Sequence, residues 1–541
     1  MMTLLRTVAL AMAALTMLVA APARAEWLKA ETAHFVVYGD VPERDLRAYA
    51  VKAERFDALL RAYYPITVDH EIPKLDIFLA NGRRDMLRAS PGLGSGVGGY
   101  YSPNSGRIHA VVDLQAMGGD VVLFHEYAHH FMFQMRSNAY PSWFVEGFAE
   151  YYSTAEIRPD RIRFGRHHPG RMLSLTQGAN TWARMEDVLT WKFTASGRYP
   201  AHSYYAQAWA MTHFFMSTPE RTRMLGRYLN LVVAGQDSIA AMREATGLTP
   251  DALQSQIRNY LTGSINVLTP ALDISEPAVT ITRLSPSESA LAWMNLRLDR
   301  TQVVETAEER APPPDETPAQ RALREEGERE EAEYRQALIT EATATAARFP
   351  GDRMATIVTA KAQRLALNPA AALETLQPLL PDSSTDAEAL RVAALALMDQ
   401  LPGGDGDAAL RLRRRASGYF ARAMDSTPLD FRVYLGLNDV RQGQARYPND
   451  NDLSTLQTAV ALAPQSFDAR MRLGHAYMNR DLQAAAIDVL SPVANSPHRN
   501  SMTRRAQAMI ASMRSEPAPT DQGPPDDEAA ERPASGASSE E

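Results

Sequence analysis

His125-Glu126-Tyr127-Ala128-His129, followed by Trp143-Phe144-Val145-Glu146-Gly147-Phe148-Ala149-Glu150, is the stretch that organises the reading of this chain. On a helix, side chains four residues apart share a face, so His125 and His129 present two imidazoles together, with Glu126 beside the first. A catalytic zinc takes three protein ligands and leaves one position for water. His125 and His129 supply two. Glu146, with sixteen residues between it and His129, can return from a following helix as the third. A zinc so held acidifies its water and polarises a carbonyl, and Glu126 is placed to take the proton and deliver it to a leaving amine.

The 541 residues are too many for one core, and the 45% apolar content is that of a globular protein. Arg6, the apolar run Val8 to Ala20 and the small-x-small site Ala23-Arg24-Ala25 read as a signal peptide (1–25) cleaved after Ala25. The run is short for a bilayer span, so no stable membrane span is expected after cleavage. With no cysteines, any metal is held by histidine and carboxylate, and the expected location is periplasmic or secreted. The net charge is -8, and residues 515–541 alone carry eight acids and one arginine. The remainder is nearly neutral, which gives no electrostatic case for nucleic acid, and 515–541 reads as a disordered acidic tail.

Residues 26–262 form the first expected unit, sheet-rich over 26–118 and helical over 119–262. Strands are predicted at 34–38 and 74–79, with a helix at 46–63 between them. A hairpin is predicted from Gly99-Tyr100-Tyr101 and 107–112 around Ser102-Pro103-Asn104-Ser105-Gly106, with Asp120 as N-cap of the histidine helix. Residues 263–333 read as a connecting segment and charged linker: a strand at 278–284, a helix start at Ser285-Pro286, then Pro312-Pro313-Pro314. Residues 334–514 are helical in pattern, punctuated by Pro350, Pro381, Pro428, Pro464 and Pro497 at spacings near the tetratricopeptide period of about 34 residues. The one long spacing holds the loop Pro402 to Asp407. Leu473-Gly474-x-x-Tyr477 with Ala484, Ala485 and Pro497 resembles the tetratricopeptide consensus. The predicted fold class is α+β: an N-terminal mixed sheet with a helical zincin-type subdomain, then an all-α helical-repeat solenoid.

Trp143 to Tyr152 resembles the "WxxEGFAEY" box of the peptidase MA-like family of gluzincin metallopeptidases, and His125 to Phe131 resembles its zinc helix. More distantly, the chain is similar to gluzincin aminopeptidases and thermolysin-type proteases; the similarity covers about residues 30 to 262. It implies a zinc peptidase with His125, His129 and Glu146 as ligands and Glu126 as general base. It further implies that Glu150 accepts a hydrogen bond from a zinc histidine. His202 to Ala210 resembles the helix start that carries the aminopeptidases' transition-state tyrosine, which implies Tyr205 as oxyanion donor, with Tyr204 the adjacent alternative. The gap from His129 to Glu146 is shorter than in the aminopeptidases. The Gly-x-Met-Glu-Asn segment with which they grip a free amine has no counterpart, so an endopeptidase with an open groove is expected.

Other features carry less. Gly94-Ser95-Gly96-Val97-Gly98-Gly99 matches a dinucleotide fingerprint in letters, but it precedes a hairpin rather than joining a strand to a helix. It reads instead as a lip leading to an edge strand, Gly99, Tyr100 and Tyr101, on which a peptide substrate could add. His130, His167, His168 and His213 read as surface or core histidines, and Arg411 to Arg415 as a solvated helix face. The leading expectation is an exported zinc peptidase whose helical repeats recruit protein substrates or partners. The alternatives are an envelope scaffold with a degenerate or regulatory peptidase unit, and a metal hydrolase acting on another bond.

Overall fold

A computed structural model describes residues 26–514 apart from 66–67, 69, 117, 136–137, 168, 177–181, 191–198, 200, 273–274, 302–316, 403–405 and 498–499. The expected signal peptide, the Pro312 to Pro314 linker, Gly403 to Asp405 of the loop, His168 and the acidic tail lie outside the described residues. The fold is mixed: a six-stranded N-terminal sheet, then mostly helices. Among the described residues no helix is long and apolar enough to cross a membrane.

In chain order the first elements are β1 (Leu28–Glu31), β2 (Phe35–Gly39), α1 (Glu43–Tyr63), β3 (Leu75–Ala80), α2 (Arg83–Ala89), β4 (Gly99–Asn104) and β5 (Arg107–Asp113). α1 carries β2 over to a parallel β3, and β5 pairs parallel with β3 on its other side. β4 folds back antiparallel on β5 and forms one edge of the sheet. Asn104 pairs with Arg107, so the hairpin turns on Ser105-Gly106 alone. The expected five-residue turn is thus corrected: Ser102, Pro103 and Asn104 belong to the strand, and an edge strand tolerates a proline because its outward N–H is not needed by a ladder.

Strand alternation distributes the core over both faces of this sheet. Phe35, Val37, Leu75, Ile77, Leu79, Ala110 and Val112 share one cluster with α1 and the histidine helix α3 (Gly119–Met135). Phe78, Ala80 and Val111 face the other way, against Met86 and Ala89 of α2 and against Trp293 and Leu296. α3 is held on α1 by the stacked rings of Phe56 and Phe124, 4.1 Å between centroids, and by Tyr127 Oη donating to Asp57 Oδ1 at 2.6 Å. Because the helix opens at Gly119, Asp120 lies inside its first turn and is not the N-cap; its carboxylate pairs with Lys52 Nζ at 2.7 Å.

α4 (Ser142–Ser153) follows, then a short ribbon, β6 (Glu156–Ile157) and β7 (Ile162–Arg163), and the helices α5 (Pro169–Thr176), α6 (Met185–Thr190), α7 (Ala201–Met216), α8 (Pro219–Val233), α9 (Ser238–Thr246) and α10 (Pro250–Leu261). Every residue of α4 is buried. It lies between α3 and α7, and Gly147 makes the crossing possible: a β-carbon there would collide with Thr212 Oγ1 and the Ala208 carbonyl.

The segment expected to connect two units does more than connect. β8 (Thr280–Arg283) pairs with β1 and closes the far edge of the N-terminal sheet. α11 (Pro286–Arg300), begun by a capping box between Ser285 and Glu288, covers the second sheet face with Trp293. The remaining helices are α12 (Pro318–Ala346), α13 (Arg353–Leu365), α14 (Pro369–Leu376), α15 (Ala387–Met398), α16 (Asp407–Ser426), α17 (Phe431–Arg441), α18 (Asp450–Leu462), α19 (Phe467–Met478), α20 (Gln483–Ala494) and α21 (Ser501–Arg514). All five punctuating prolines fall between helices. Gly474 meets Leu490 so closely that a β-carbon would stand 2.6 Å from it, which explains the Leu-Gly pair of the consensus match. Arg413 corrects the solvated-face reading of its cluster: its guanidinium reaches the Val440 carbonyl at 2.7 Å and so caps the end of α17.

The helical half docks on the N-terminal half. Gln465 and Asn495 bond to the α3–α4 region, Arg432 donates to the Gly106 carbonyl at 3.2 Å, and His70 Nε2 meets the Ala461 carbonyl at 3.1 Å. Arg107 pairs with Asp76 and Asp299, and Asp299 with Lys361, so a buried ionic network crosses the junction. Gly147→Ala should lower stability by about 1–3 kcal/mol through overpacking at the α4–α7 crossing. A urea unfolding midpoint equal to that of the parent protein would show that the crossing has room to spare.

Candidate metal centre

α3 and α4 bring three of the predicted residues together. His125 Nε2 and His129 Nε2 stand 3.1 Å apart, and Glu146 Oε2 lies 3.4 Å from the first and 3.6 Å from the second. A tetrahedral cation with bonds of about 2.0–2.1 Å spaces its ligand atoms roughly 3.3 Å apart, so this nitrogen, nitrogen and oxygen set has the chemistry and the spacing that zinc requires. Glu146 is completely buried. A carboxylate stripped of water is costly to keep charged without compensating positive charge, which the cluster would gain from a cation.

Glu150, one helical turn after Glu146, lies beside the other nitrogen of the first histidine: Oε1 is 3.4 Å from His125 Nδ1. A carboxylate there favours the tautomer that leaves Nε2 free for a metal. Glu150 is itself gripped by Arg171 of α5, at 2.9 and 2.7 Å to its two oxygens. The Arg171 guanidinium also lies over the Tyr205 ring, 5.0 Å from its centroid. Arg171 is the residue that motif reading missed. It stands 21 positions beyond Glu150, on a different helix, and no local pattern marks it.

Burial alone would push the His125 imidazole towards its neutral form; Glu146, then Glu126 and Glu150, outweigh it and raise the pKa to about 9. Glu126 is half-buried on the turn between the two histidines. Of the two tyrosines, Tyr204 is buried, and burial followed by the charge of Glu146 holds its hydroxyl far above the ordinary range. Tyr205 is half-exposed beneath Arg171.

The three edge-strand residues separate. Gly99 is buried and lets Val122 of α3 approach the strand, since a β-carbon there would come within 3.1 Å of it. Tyr101 faces α3 and its Oη lies 3.0 Å from His130 Nδ1. Tyr100, one residue earlier, points through the opposite face of the sheet, where Arg300 donates to its hydroxyl at 3.0 Å. Its expected place in the groove is therefore corrected: strand alternation turns it away from α3. His130, Tyr101's partner, is buried, and burial lowers its pKa to about 3, leaving a neutral imidazole. His213 is a core histidine with both nitrogens engaged, 2.7 Å from Tyr260 Oη and 2.8 Å from the Gly165 carbonyl; His167 is exposed.

Among the described residues, His34, Glu54 and Asp57 also cluster closely enough to suggest a metal. Their groups are already used. Glu54 receives the His34 backbone N–H at 2.7 Å, and Asp57 accepts from Arg61 Nε and from Tyr127, each at 2.6 Å. Arg61 supplies the positive charge there, and the cluster acts as a clip between α1 and α3.

Residues 122–233, which run from the first turn of α3 to the end of α8, match the family model described as "Protein of unknown function (DUF1570)". No curated protein matches the chain.

Two outcomes follow from this geometry. At pH 7, below the pKa of about 9, His125 of the metal-free protein carries a proton that must leave when its Nε2 binds zinc. Titration calorimetry in buffers of differing ionisation enthalpy should therefore register about one proton released from this group per zinc, with affinity rising as pH approaches 9. Binding with no proton release would contradict it. Arg171→Met should weaken zinc binding by about 10- to 100-fold by freeing Glu150 from its fixed position, measured by competition with a chelator; unchanged affinity would remove Arg171 from the site.

Proposed function

We propose that this protein is an exported zinc-dependent peptidase of the gluzincin type, most economically an endopeptidase, hydrolysing peptide bonds of protein or peptide substrates. The observation that carries the reading is the convergence of His125 Nε2, His129 Nε2 and Glu146 Oε2 within 3.6 Å of one another. The neighbouring Glu126, on the same helix and open enough to meet a substrate, supports hydrolysis over simple metal storage.

Zinc held by these three residues would supply a Lewis acid and bring the pKa of water near neutrality. The Glu126 carboxylate takes a proton from the attacking water as its oxygen adds to the carbonyl carbon. It returns that proton to the amide nitrogen as the carbon–nitrogen bond breaks. Tyr205, the half-exposed tyrosine, donates its hydroxyl proton in a hydrogen bond to the developing oxyanion. Glu150, fixed by Arg171, holds the His125 ring in orientation. Among the described residues β4 is an edge strand of the sheet, which suits a substrate backbone added as a further strand, with Tyr101 on the α3 side. Such an edge, in a sequence without the amine-gripping Gly-x-Met-Glu-Asn segment, favours internal peptide bonds. The helices from α12 onward, in their tetratricopeptide-like succession, keep a solvent face on which protein substrates or partners could be received.

Glu126→Gln tests the chemistry. It should retain about one zinc per chain and lose cleavage of casein and of terminally blocked peptides by about 100-fold or more. Full cleavage by this variant, or a parent protein that binds no zinc, would refute the proposal; cleavage restricted to peptides with a free amino terminus would refute the endopeptidase part.

A further inference from the structure

A strand that receives a substrate backbone must keep one side open. β4 has β5 as its one ladder neighbour among the described residues, so its position has to be fixed through its two faces and its turn. At its first residue the N-terminal half does this, with Gly99 against Val122 of the histidine helix. At the far end the contacts come from α11 and α17.

The turn Ser105-Gly106 abuts the last turn of α11, where the Asp299 carbonyl fills the space that a β-carbon on residue 106 would need. The Asp299 carboxylate is paired with Arg107, the first residue of β5, at 3.4 Å and with Lys361 of α13. From α17, Arg432 donates to the Gly106 carbonyl at 3.2 Å. Its guanidinium is aimed by Asp430, whose two oxygens accept from Nε and Nη2 at 2.7 Å each. Behind the strand, Arg300 donates to Tyr100 Oη at 3.0 Å and lies over the ring, 5.1 Å from its centroid. Tyr100 and Tyr101 are neighbours on opposite faces, so fixing the first from behind fixes the side of β4 that meets α3. Asp299, Arg300 and Arg432 all lie beyond residue 262 and outside the matched segment 122–233.

We infer that Asp299, Arg300 and Arg432 are positioning residues for the substrate: from beyond the expected peptidase unit they clamp the β4 hairpin and set where an added strand lies relative to His125, His129 and Glu146. The consequence for substrate rests on the peptidase reading; the clamp on the hairpin does not. A misplacement of about 1 Å is enough to cost a large factor in rate. A long substrate paired along β4 feels any movement of the hairpin, whereas one too short to pair with the strand does not.

The test uses the full zinc-loaded chain and two terminally blocked substrates, an octapeptide and a dipeptide amide, both of sequences that the parent protein cleaves. Gly106→Ala, which drives the turn off α11, should lower kcat/KM for the octapeptide by about tenfold and for the dipeptide by no more than about twofold. Equal losses on both substrates, or a loss on neither, overturn the inference. Arg300→Met and Tyr100→Phe should each lower the octapeptide value alone by about threefold and together cost no more than either; additive losses overturn the pairing. Asn495→Ala is the control, because it removes a bond between the halves, to the Ala139 carbonyl at 3.2 Å, without touching the hairpin. A loss selective for the octapeptide in this variant would mean general loosening and overturn the clamp. Hydrogen exchange read by mass spectrometry needs no activity. In Gly106→Ala and in Arg300→Met, residues 99–104 should exchange about tenfold faster while residues 75–80 of β3 keep the parent rate. Unchanged exchange at 99–104, or equal acceleration of both strands in both variants, overturns the inference. If the parent cleaves no peptide and the exchange follows this pattern, the clamp stands and the peptidase reading falls.

Discussion

A carboxylate with no access to water sits at the centre of this molecule. Glu146 can be kept there only because α4 is buried along its whole length and pressed between the two helices that supply its neighbours. One of them, α3, offers two imidazole nitrogens to the same oxygen; the other, α7, comes close enough only because residue 147 has no side chain. Much of the surrounding architecture follows from that placement. The sheet and α1 give α3 a rigid back, Asp57 ties it through Tyr127, and Arg171 neutralises the second buried acid, Glu150. Burying two acids on one helix would be destabilising in isolation. Here each is compensated by groups drawn from a separate element.

What could be read from the residues, and what could not, divides along the reach of local pattern. His125, Glu126 and His129 announce themselves because a helix turns sequence spacing into geometry. Glu146 and Glu150 do so through a neighbouring helix of distinctive wording. The alternation of β2, β3 and β5 was legible for the same reason. Tyr100 was misplaced because two adjacent tyrosines look equivalent in sequence while a strand sends them to opposite faces. Arg171 left no local trace, since its reach to Glu150 depends on the packing of α5 against α7. The strand at 280 was anticipated as an element but not as a partner of β1, because pairing across some 250 residues has no signature in either segment. The punctuating prolines marked the helix boundaries after residue 334 well, yet nothing in them indicated that the resulting helices pack back onto the first half.

That packing changes how the two halves are understood. A modular chain would join a catalytic unit to an independent array through a few exposed contacts. Instead, Arg107, Asp299, Lys361, Glu388 and Arg432 form a partly buried ionic network across the junction, and neutral amides from Gln465 and Asn495 reach the histidine helix and the loop behind it. Networks of this kind contribute little net stability when complete and are costly when one member is lost. Their effect is to specify one arrangement of the halves.

The closure of the sheet has a consequence for the order in which the chain acquires its shape. β1 lies between β2 and β8, and Trp27 packs edge-on against Trp293 at 4.8 Å between ring centroids. The opening strand therefore has its outer neighbour only after the ribosome has passed residue 283, and the lower sheet face lacks its cover until α11 is made. Long-range pairing of this sort is slow to form and leaves an unpaired edge exposed meanwhile. A nascent chain ending at residue 262 would hold all the residues of the histidine and glutamate cluster on an incompletely closed scaffold, so assembly of the site is tied to synthesis of a segment that contributes no ligand to it.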